Sequence, residues 1–295
     1  MEKRKHSDEQ ARLSREQLVR QFDEQGYIIL KDVFDMATIQ GVIGEMRTLV
    51  DRHADKLLAE GKIGDLLKDA PFETRLHLLY RDHLEAAPKS FRTELHLPGL
   101  YPLFFNPRLL DAVELFIGDE IRLYPNYTAR PKLPDWEGTL VLWHQDAGYT
   151  ENNSGKQDSD TSINDFRMVN VWAPLVPARP ENGCMQFIPG THKLGVVRHE
   201  HRTHYLEIAE DVLRPRLQEA IDVVLDPGDV VLFNNLLFHC GQPNRSGTIR
   251  WSVDWRYQDL RQPTNRQHQG HVARSRSHPD ESVRSAEEWA ALCWK

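Results

Sequence analysis

Residues 227–257 read PGDVVLFNNLLFHCGQPNRSGTIRWSVDWRY, and this stretch decides the fold. Val230–Phe233, Leu236–Cys240 and Ile249–Tyr257 are short runs rich in β-branched and aromatic residues. Asn, Gly, Pro and Ser separate them, which is the punctuation of strands and turns. Working back toward Gly118, the same texture continues through Ile121–Tyr127, Thr139–His144, Arg167–Val176, Cys184–Ile188 and Ile221–Leu225. A polar stretch at Thr150–Asp165 and a helical connection at Tyr205–Ala220, broken by Pro215, interrupt the series.

The N-terminal third differs. Ser14-Arg-Glu-Gln17 forms a capping box before Leu18, Val19 and Phe22, and Gly26 fits the position after the helix end. Tyr27–Leu30 reads as a strand. Met36–Leu58 carries Ile39, Val42, Ile43, Met46, Leu49 and Val50 at helical spacing. A third helix has Asn106 as N-cap, Pro107 in first position, Leu109, Leu110, Val113 and Leu115 as its buried stripe, and Gly118 beyond its end. Ser285-Ala-Glu-Glu288 caps a short final helix running to Trp294. Residues 61–104 give no clear order. The expected fold is mainly β: a double-stranded β-helix (jelly roll, cupin-like) core over 119–260, with helical support over 14–118 and a C-terminal segment at 261–295. One domain after a flexible tail at 1–13 is the expected organisation.

Composition narrows the function. The 295 residues carry a net charge of −7, which argues against a nucleic-acid partner or an anionic membrane surface. No run of about 18 apolar residues is present, so no membrane span is expected. Cys184, Cys240 and Cys293 form neither a disulfide framework nor a CxxC pair, and the first ten residues lack a signal-peptide core. A reducing, cytoplasmic location is the expectation. GxGxxG, Walker A, GxSxG and HExxH are all missing.

Fourteen histidines remain to be explained. His-x-Asp opens many two-histidine, one-carboxylate iron sites, and about one such triplet is expected by chance. This chain has four. His6/Asp8 lies in the polar tail. His53/Asp55 lies on a helix, where positions i and i+2 diverge. His278/Asp280 sits in a polar segment with nothing apolar to hold it. Only His144/Asp146 ends a strand, after Thr-Leu-Val-Leu-Trp143. His239, flanked by apolar residues, is the candidate third ligand. A hairpin centred between Asn244 and Arg245 would set His239 opposite Arg250, with Ser252 on the same face as Arg250. An interior guanidinium with a hydroxyl beside it suits a carboxylate clamp, and a structural pair with Asp254 or Asp229 is the alternative. Two histidines and a carboxylate hold one face of an octahedral ion and leave three positions open, enough for a chelating 2-oxo acid and O2.

Taken with their order, these residues resemble the phytanoyl-CoA dioxygenase-like Fe(II)/2-oxoglutarate oxygenases over roughly Gly26–Tyr257. The matching segments are Gly26–Phe34, Trp143-His-Gln-Asp146, Val171-Trp-Ala-Pro-Leu175, Glu181-Asn-Gly183 with Ile188–Lys193, Pro227–Phe233, and His239 with Arg250-Trp-Ser252. The resemblance implies a double-stranded β-helix, iron on His144, Asp146 and His239, and 2-oxoglutarate anchored by Arg250. It implies Ser252 and Trp172 as neighbours of the co-substrate and O2 as oxidant. Asp146 is present where related halogenases have Gly or Ala, so no place is vacated for chloride.

The implied reaction hydroxylates a small-molecule metabolite with release of succinate and CO2. The rivals are a cupin-type metal enzyme without 2-oxoglutarate, which has no need of Arg250, and a non-enzymatic jelly-roll binding protein. Asn170, Trp172, Tyr124 and Asn126 are candidate pocket residues. The Thr150–Asp165 loop is a candidate lid. Lys89, Arg92, Arg130 and Lys132 are candidate contacts for an anionic substrate. His199, His201 and His204 read as a solvated loop, His192 as structural, and Cys240 as core.

Overall fold

The computed structural model describes residues 14–148, 162–201 and 206–292. The tail, most of the Thr150–Asp165 loop, His204, Cys293 and Trp294 lie outside the described residues. In chain order the elements are α1 (Arg15–Gln25), β1 (Tyr27–Leu30), α2 (Met36–Ala59), α3 (Phe72–Tyr80), α4 (Pro107–Ile117), β2 (Ile121–Leu123), β3 (Thr128–Lys132), β4 (Val141–His144), β5 (Met168–Pro174), β6 (Met185–Ile188), β7 (His199–His201), β8 (Leu206–Ile208), β9 (Ile221–Val223), β10 (Val230–Asn234), β11 (Phe238–Gly241), β12 (Arg250–Asp259), β13 (His271–Arg274) and α5 (Ala286–Ala291). Single helical turns at Tyr101–Phe104 and Glu210–Leu213 lie between them.

The caps behave as the sequence predicts. Gln17 N–H donates to Ser14 Oγ, and Ser14 N–H donates back to the Gln17 side chain. Gly26 ends α1 at φ +83°, its N–H donating to Phe22 O. Asn106 accepts from the Arg108 and Leu109 amides, and Ser285 accepts from Glu288. In α4 the buried stripe is Leu109, Leu110, Ala112, Val113 and Ile117; Leu115 is only half-buried, because the face turns toward Ile117.

Two sheets close on each other. The larger runs β1-β10-β5-β12-β2-β13, with β3 also paired to β12. The smaller runs β4-β11-β6-β9. Val231, Phe233 and Trp172 from the larger sheet share one apolar cluster with Met185, Phe187 and Val223 from the smaller. This is the expected double-stranded β-helix. The outer face of the larger sheet carries Val169, Val171, Val230, Leu232, Trp251, Val253 and Trp255, packed with α2, α3 and α4 in a single core cluster. Trp251 stacks on Phe72 and Phe91, and Trp255 meets Phe104 edge-on.

One expectation fails here. β11 and β12 do not form a hairpin: β11 pairs with β4 and β6, whereas Arg250 on β12 lies opposite Lys132 on β3. The turn at 242–249 carries the chain from one sheet to the other, so its residues cannot set a common register.

Candidate active site

The two sheets bring three distant side chains together. His239 on β11 lies directly opposite His144 at the end of β4. Asp146 lies off the strand, in the helical turn that follows. One ligand atom from each of His144, Asp146 and His239 falls within 4.8 Å of the others. Gln145, the residue between His144 and Asp146, fixes their geometry. It is fully buried, donates to Gly195 O (2.8 Å) and Leu236 O (2.6 Å), and accepts from the Val197 amide (2.9 Å). With the middle residue pinned, the flanking pair converges.

Both imidazoles are oriented through the same nitrogen. His144 Nδ1 is 2.8 Å from Leu142 O, and His239 Nδ1 is 2.8 Å from Leu237 O. The proton therefore sits on Nδ1 and Nε2 faces the cluster with a lone pair, the tautomer a metal needs. Burial, then His144, pushes the His239 imidazole down to about 3, so it is neutral. Burial would raise the Asp146 carboxyl, but Arg256 and the two histidines outweigh it and hold it well below the usual range. Arg256 is the support of Asp146 that sequence reasoning missed. Its Nε and Nη2 reach Asp146 Oδ2 at 3.1 and 2.7 Å, leaving Oδ1 turned to His144 Nε2 at 3.5 Å. Arg256 Nη1 also donates to Asp254 Oδ1 at 2.9 Å, and Arg130 Nε donates to Asp254 Oδ2 at 2.6 Å.

Arg250 is not beside His239 on a neighbouring strand, but it lines the same cavity across the barrel. That cavity is bounded by Val141, Met185, Phe233, Trp172, Cys240 and Gly241 as well as the charged groups. Arg250 is 4 % exposed. Its guanidinium donates to Ser252 Oγ and to Gly183 O (3.2 Å), and it lies 5.2 Å from the centre of the Trp172 ring. Among the described residues it has no acidic partner and its Nε makes no hydrogen bond. Asp254 is taken by Arg130 and Arg256, and Asp229 by Lys31, so the structural-pair alternative is removed. A buried cation without a carboxylate fits an anionic ligand. Gly183 sits at φ +80°, and a Cβ there would come within 2.5 Å of Gln242 O, so only glycine lets this carbonyl approach Arg250.

Other candidates divide. Trp172 and Asn170 both point into the barrel, and Asn170 is 1 % exposed with neither amide atom paired. Tyr124 turns away, donating to Thr264 O at 2.7 Å, and neither it nor Asn126 is on a strand. His199 is no solvated loop residue: it sits on β7, half-buried, and its Nε2 accepts the Gln145 amide at 3.3 Å. The flanking Val197 carbonyl holds its Nδ1. His192 is structural, 3.1 Å from Asp23 O. Cys240 directs its thiol to Gln186 on β6, and burial pushes that thiol up to about 12. His53 meets Tyr80 Oη at 2.7 Å while Asp55 is exposed, and both His278 and Asp280 are exposed, so neither triplet is a site.

Comparison with known proteins places the chain. The family model for phytanoyl-CoA dioxygenase (PhyH) matches residues 22–252. Among curated proteins, 1-deoxypentalenic acid 11-beta-hydroxylase of Streptomyces arenae is 29% identical over 258 residues, covering 83% of this chain and 81% of that protein. Among solved structures, the non-heme monooxygenase ThoJ, in its apo form, has a TM-score of 0.62 at 21% identity, covering 88% of this chain and 84% of its own. EctD from S. alaskensis, solved with 2-oxoglutarate and 5-hydroxyectoine, has a TM-score of 0.57 at 21% identity, covering 92% and 84%. The chain belongs to the phytanoyl-CoA dioxygenase family.

Proposed function

We propose that His144, Asp146 and His239 hold the iron of this enzyme, and that Arg250, with Ser252 and Trp172, anchors its 2-oxoglutarate. The chain is an Fe(II)- and 2-oxoglutarate-dependent dioxygenase acting on a small molecule, with hydroxylation of a C–H bond as the outcome. The observation that carries the assignment is the buried, acid-free Arg250 in one cavity with His144 and His239, the two histidines of a convergent His-Asp-His set.

The donor set fits iron: two neutral imidazoles and one carboxylate occupy one face of an octahedral ion. When bound, iron with 2-oxoglutarate and O2 supplies the oxidising power that yields succinate, CO2 and the oxidised substrate. The protein supplies orientation. Leu142 and Leu237 carbonyls hold the tautomers, and Arg256 keeps Asp146 ionised with one oxygen available. Arg250 takes the far carboxylate of the co-substrate in a charge-assisted fork, while Ser252 and the Trp172 ring fix the guanidinium's direction. Phe233, Met185 and Val141 give the cavity an apolar wall. A cupin-type reaction without 2-oxoglutarate leaves Arg250 without a purpose.

The test is anaerobic titration of Fe(II)-loaded protein with 2-oxoglutarate, following the weak metal-to-ligand charge-transfer band. The band should form. In Arg250→Ala the loss of charged hydrogen bonds, about 2–3 kcal/mol, should weaken 2-oxoglutarate roughly 30- to 150-fold. A folded protein that gives no band, or an Arg250→Ala variant that titrates like the parent, overturns the reading.

A further inference from the structure

The barrel interior carries two cationic posts at different depths, on the paired strands β12 and β3. The inner one is Arg250, almost without solvent contact. The outer one begins with Arg130, which stands opposite Ser252 in register but leans along the barrel to Asp254, away from Arg250. The Arg130 side chain is 33% exposed, so it stands where the cavity meets solvent. Its two terminal nitrogens have no protein partner among the described residues. Arg92 adjoins the same network: its Nη1 is 3.5 Å from Asn126 Oδ1, and the Asn126 carbonyl accepts from Arg256 at 3.2 Å. Enclosure by the protein, then the neighbouring Arg130, lower the Arg92 guanidinium from its ordinary value.

Charge balance sets what this outer post can hold. Four guanidiniums (Arg92, Arg130, Arg256 and, on the Arg92 side, Arg266) face two carboxylates (Asp254, Asp146), and Glu94 engages the Arg92 backbone amide at 2.9 Å rather than its side chain. Asp254 saturates one edge of Arg130 and one of Arg256, so the mouth keeps an excess of positive charge. That surplus suits an anionic group, and the terminal nitrogens of Arg130, with only Nε engaged by Asp254, present the fork that matches a carboxylate. The co-substrate does not fill the place, because 2-oxoglutarate has two carboxylates, one for the metal side and one for Arg250.

We propose that the substrate is a carboxylic acid whose carboxylate docks on the terminal nitrogens of Arg130, with Arg92 beside it at the rim. This rests on the iron and 2-oxoglutarate reading above and adds the substrate's chemical class. An outer anion on Arg130 positions the substrate relative to the metal centre through a fixed point on β3, the strand paired to the one that carries Arg250. Arg130 in turn is held by Asp254, which also braces Arg256 against Asp146.

The test uses the full chain loaded anaerobically with Fe(II) and 2-oxoglutarate. Calorimetry would compare a panel of cyclic and branched aliphatic monocarboxylic acids with their methyl esters, and with the corresponding coenzyme A thioesters. At least one acid should bind about tenfold or more tightly than its ester, the loss expected for one charge-assisted contact. Arg130→Gln should bring that acid down to the level of its ester while changing 2-oxoglutarate affinity less than about threefold. Arg92→Gln, which removes a guanidinium at the rim and with it only a long contact to Asn126, should weaken the acid severalfold and guards against a folding defect at Arg130.

Esters binding as well as acids, thioesters binding best, or no acid in the panel binding would overturn the proposal. So would an Arg130→Gln variant whose main loss is in 2-oxoglutarate. The charge-transfer band of the parent separates the two readings. Its absence sinks the iron and 2-oxoglutarate assignment, whereas a normal band without acid preference sinks only the substrate class.

Discussion

Arg256 shows how a single side chain sets the charge and direction of a neighbouring carboxylate. Two of its nitrogens sit on Asp146 Oδ2, so the carboxylate is ionised and can offer only its other oxygen forward. Removing this support should cost metal affinity. Arg256→Gln is expected to weaken Fe(II) binding by roughly 10- to 100-fold, read by metal titration, with the far-ultraviolet circular dichroism of the parent retained. Lys132 makes a different contribution. It is 3 % exposed, donates to Thr139 O and Gly241 O, and is pushed down to about 7 by burial, then by Arg250, with Arg130 adding repulsion and Cys240 opposing it. Its ordinary value is 10.5, so between about 7 and 10.5 the unfolded chain holds a proton that the folded chain lacks. By linkage, stability rises with pH across that window and is lowest below it. Lys132→Met should therefore raise the denaturation midpoint of the ligand-free protein near pH 6 and flatten its rise toward pH 10, as urea unfolding at several pH values would show.

At the scale of the element, β12 contains most of the design. Its residues alternate: Trp251, Val253, Trp255 and Tyr257 face the helices, and Arg250, Ser252, Asp254, Arg256 and Gln258 face the barrel interior. All ten of its residues are buried. Polar residues at period two ordinarily mark a solvent face, and nothing local in the sequence says that here they line a cavity. The two faces should answer mutation differently. Trp255→Ala leaves a void against Phe34 and Phe104 and should destabilise by about 3–5 kcal/mol, measured by denaturant unfolding. Ser252→Ala removes one hydroxyl and should cost about 1 kcal/mol of stability, its clearer effect being weaker 2-oxoglutarate binding. The helices α2 and α4 were legible for the opposite reason: their caps and 3/4 spacing are local signals, and the observed ends fall within a residue of those expected. β3, β7, β8 and β13 were not foreseen, because three- to five-residue strands carry too little pattern to rise above their turns.

At the scale of the whole molecule, the helical third and the larger sheet share one apolar core. Ile39, Met46, Leu103 and Val113 belong to the same cluster as Trp251 and Trp255. Removing residues 14–118 would uncover the entire outer face of that sheet, a patch far beyond what a soluble surface tolerates. A 119–295 fragment is expected to show no cooperative unfolding transition and to bind a hydrophobic dye. Cooperative melting with the parent's metal affinity would show that the barrel stands alone. No helix among the described residues is long and apolar enough to cross a membrane.

The sequence by itself determined the identity of the chemical groups. His144/Asp146 stood out from three similar triplets because only it follows a strand, and His239 and Arg250 stood out as polar residues within apolar runs. The helix caps and the two-faced strands were written there too, since each depends on neighbours a few positions away. Tertiary structure decided which groups meet. His239 reaches His144 because β11 and β4 pair, whereas the turn before Arg250 switches sheets rather than closing a hairpin. The support of Asp146 by Arg256 spans 110 positions, and the pinning of Gln145 by Leu236 spans 91. Contacts of that range depend on sheet closure and register, and a period of two fixes a strand's faces without fixing its partners.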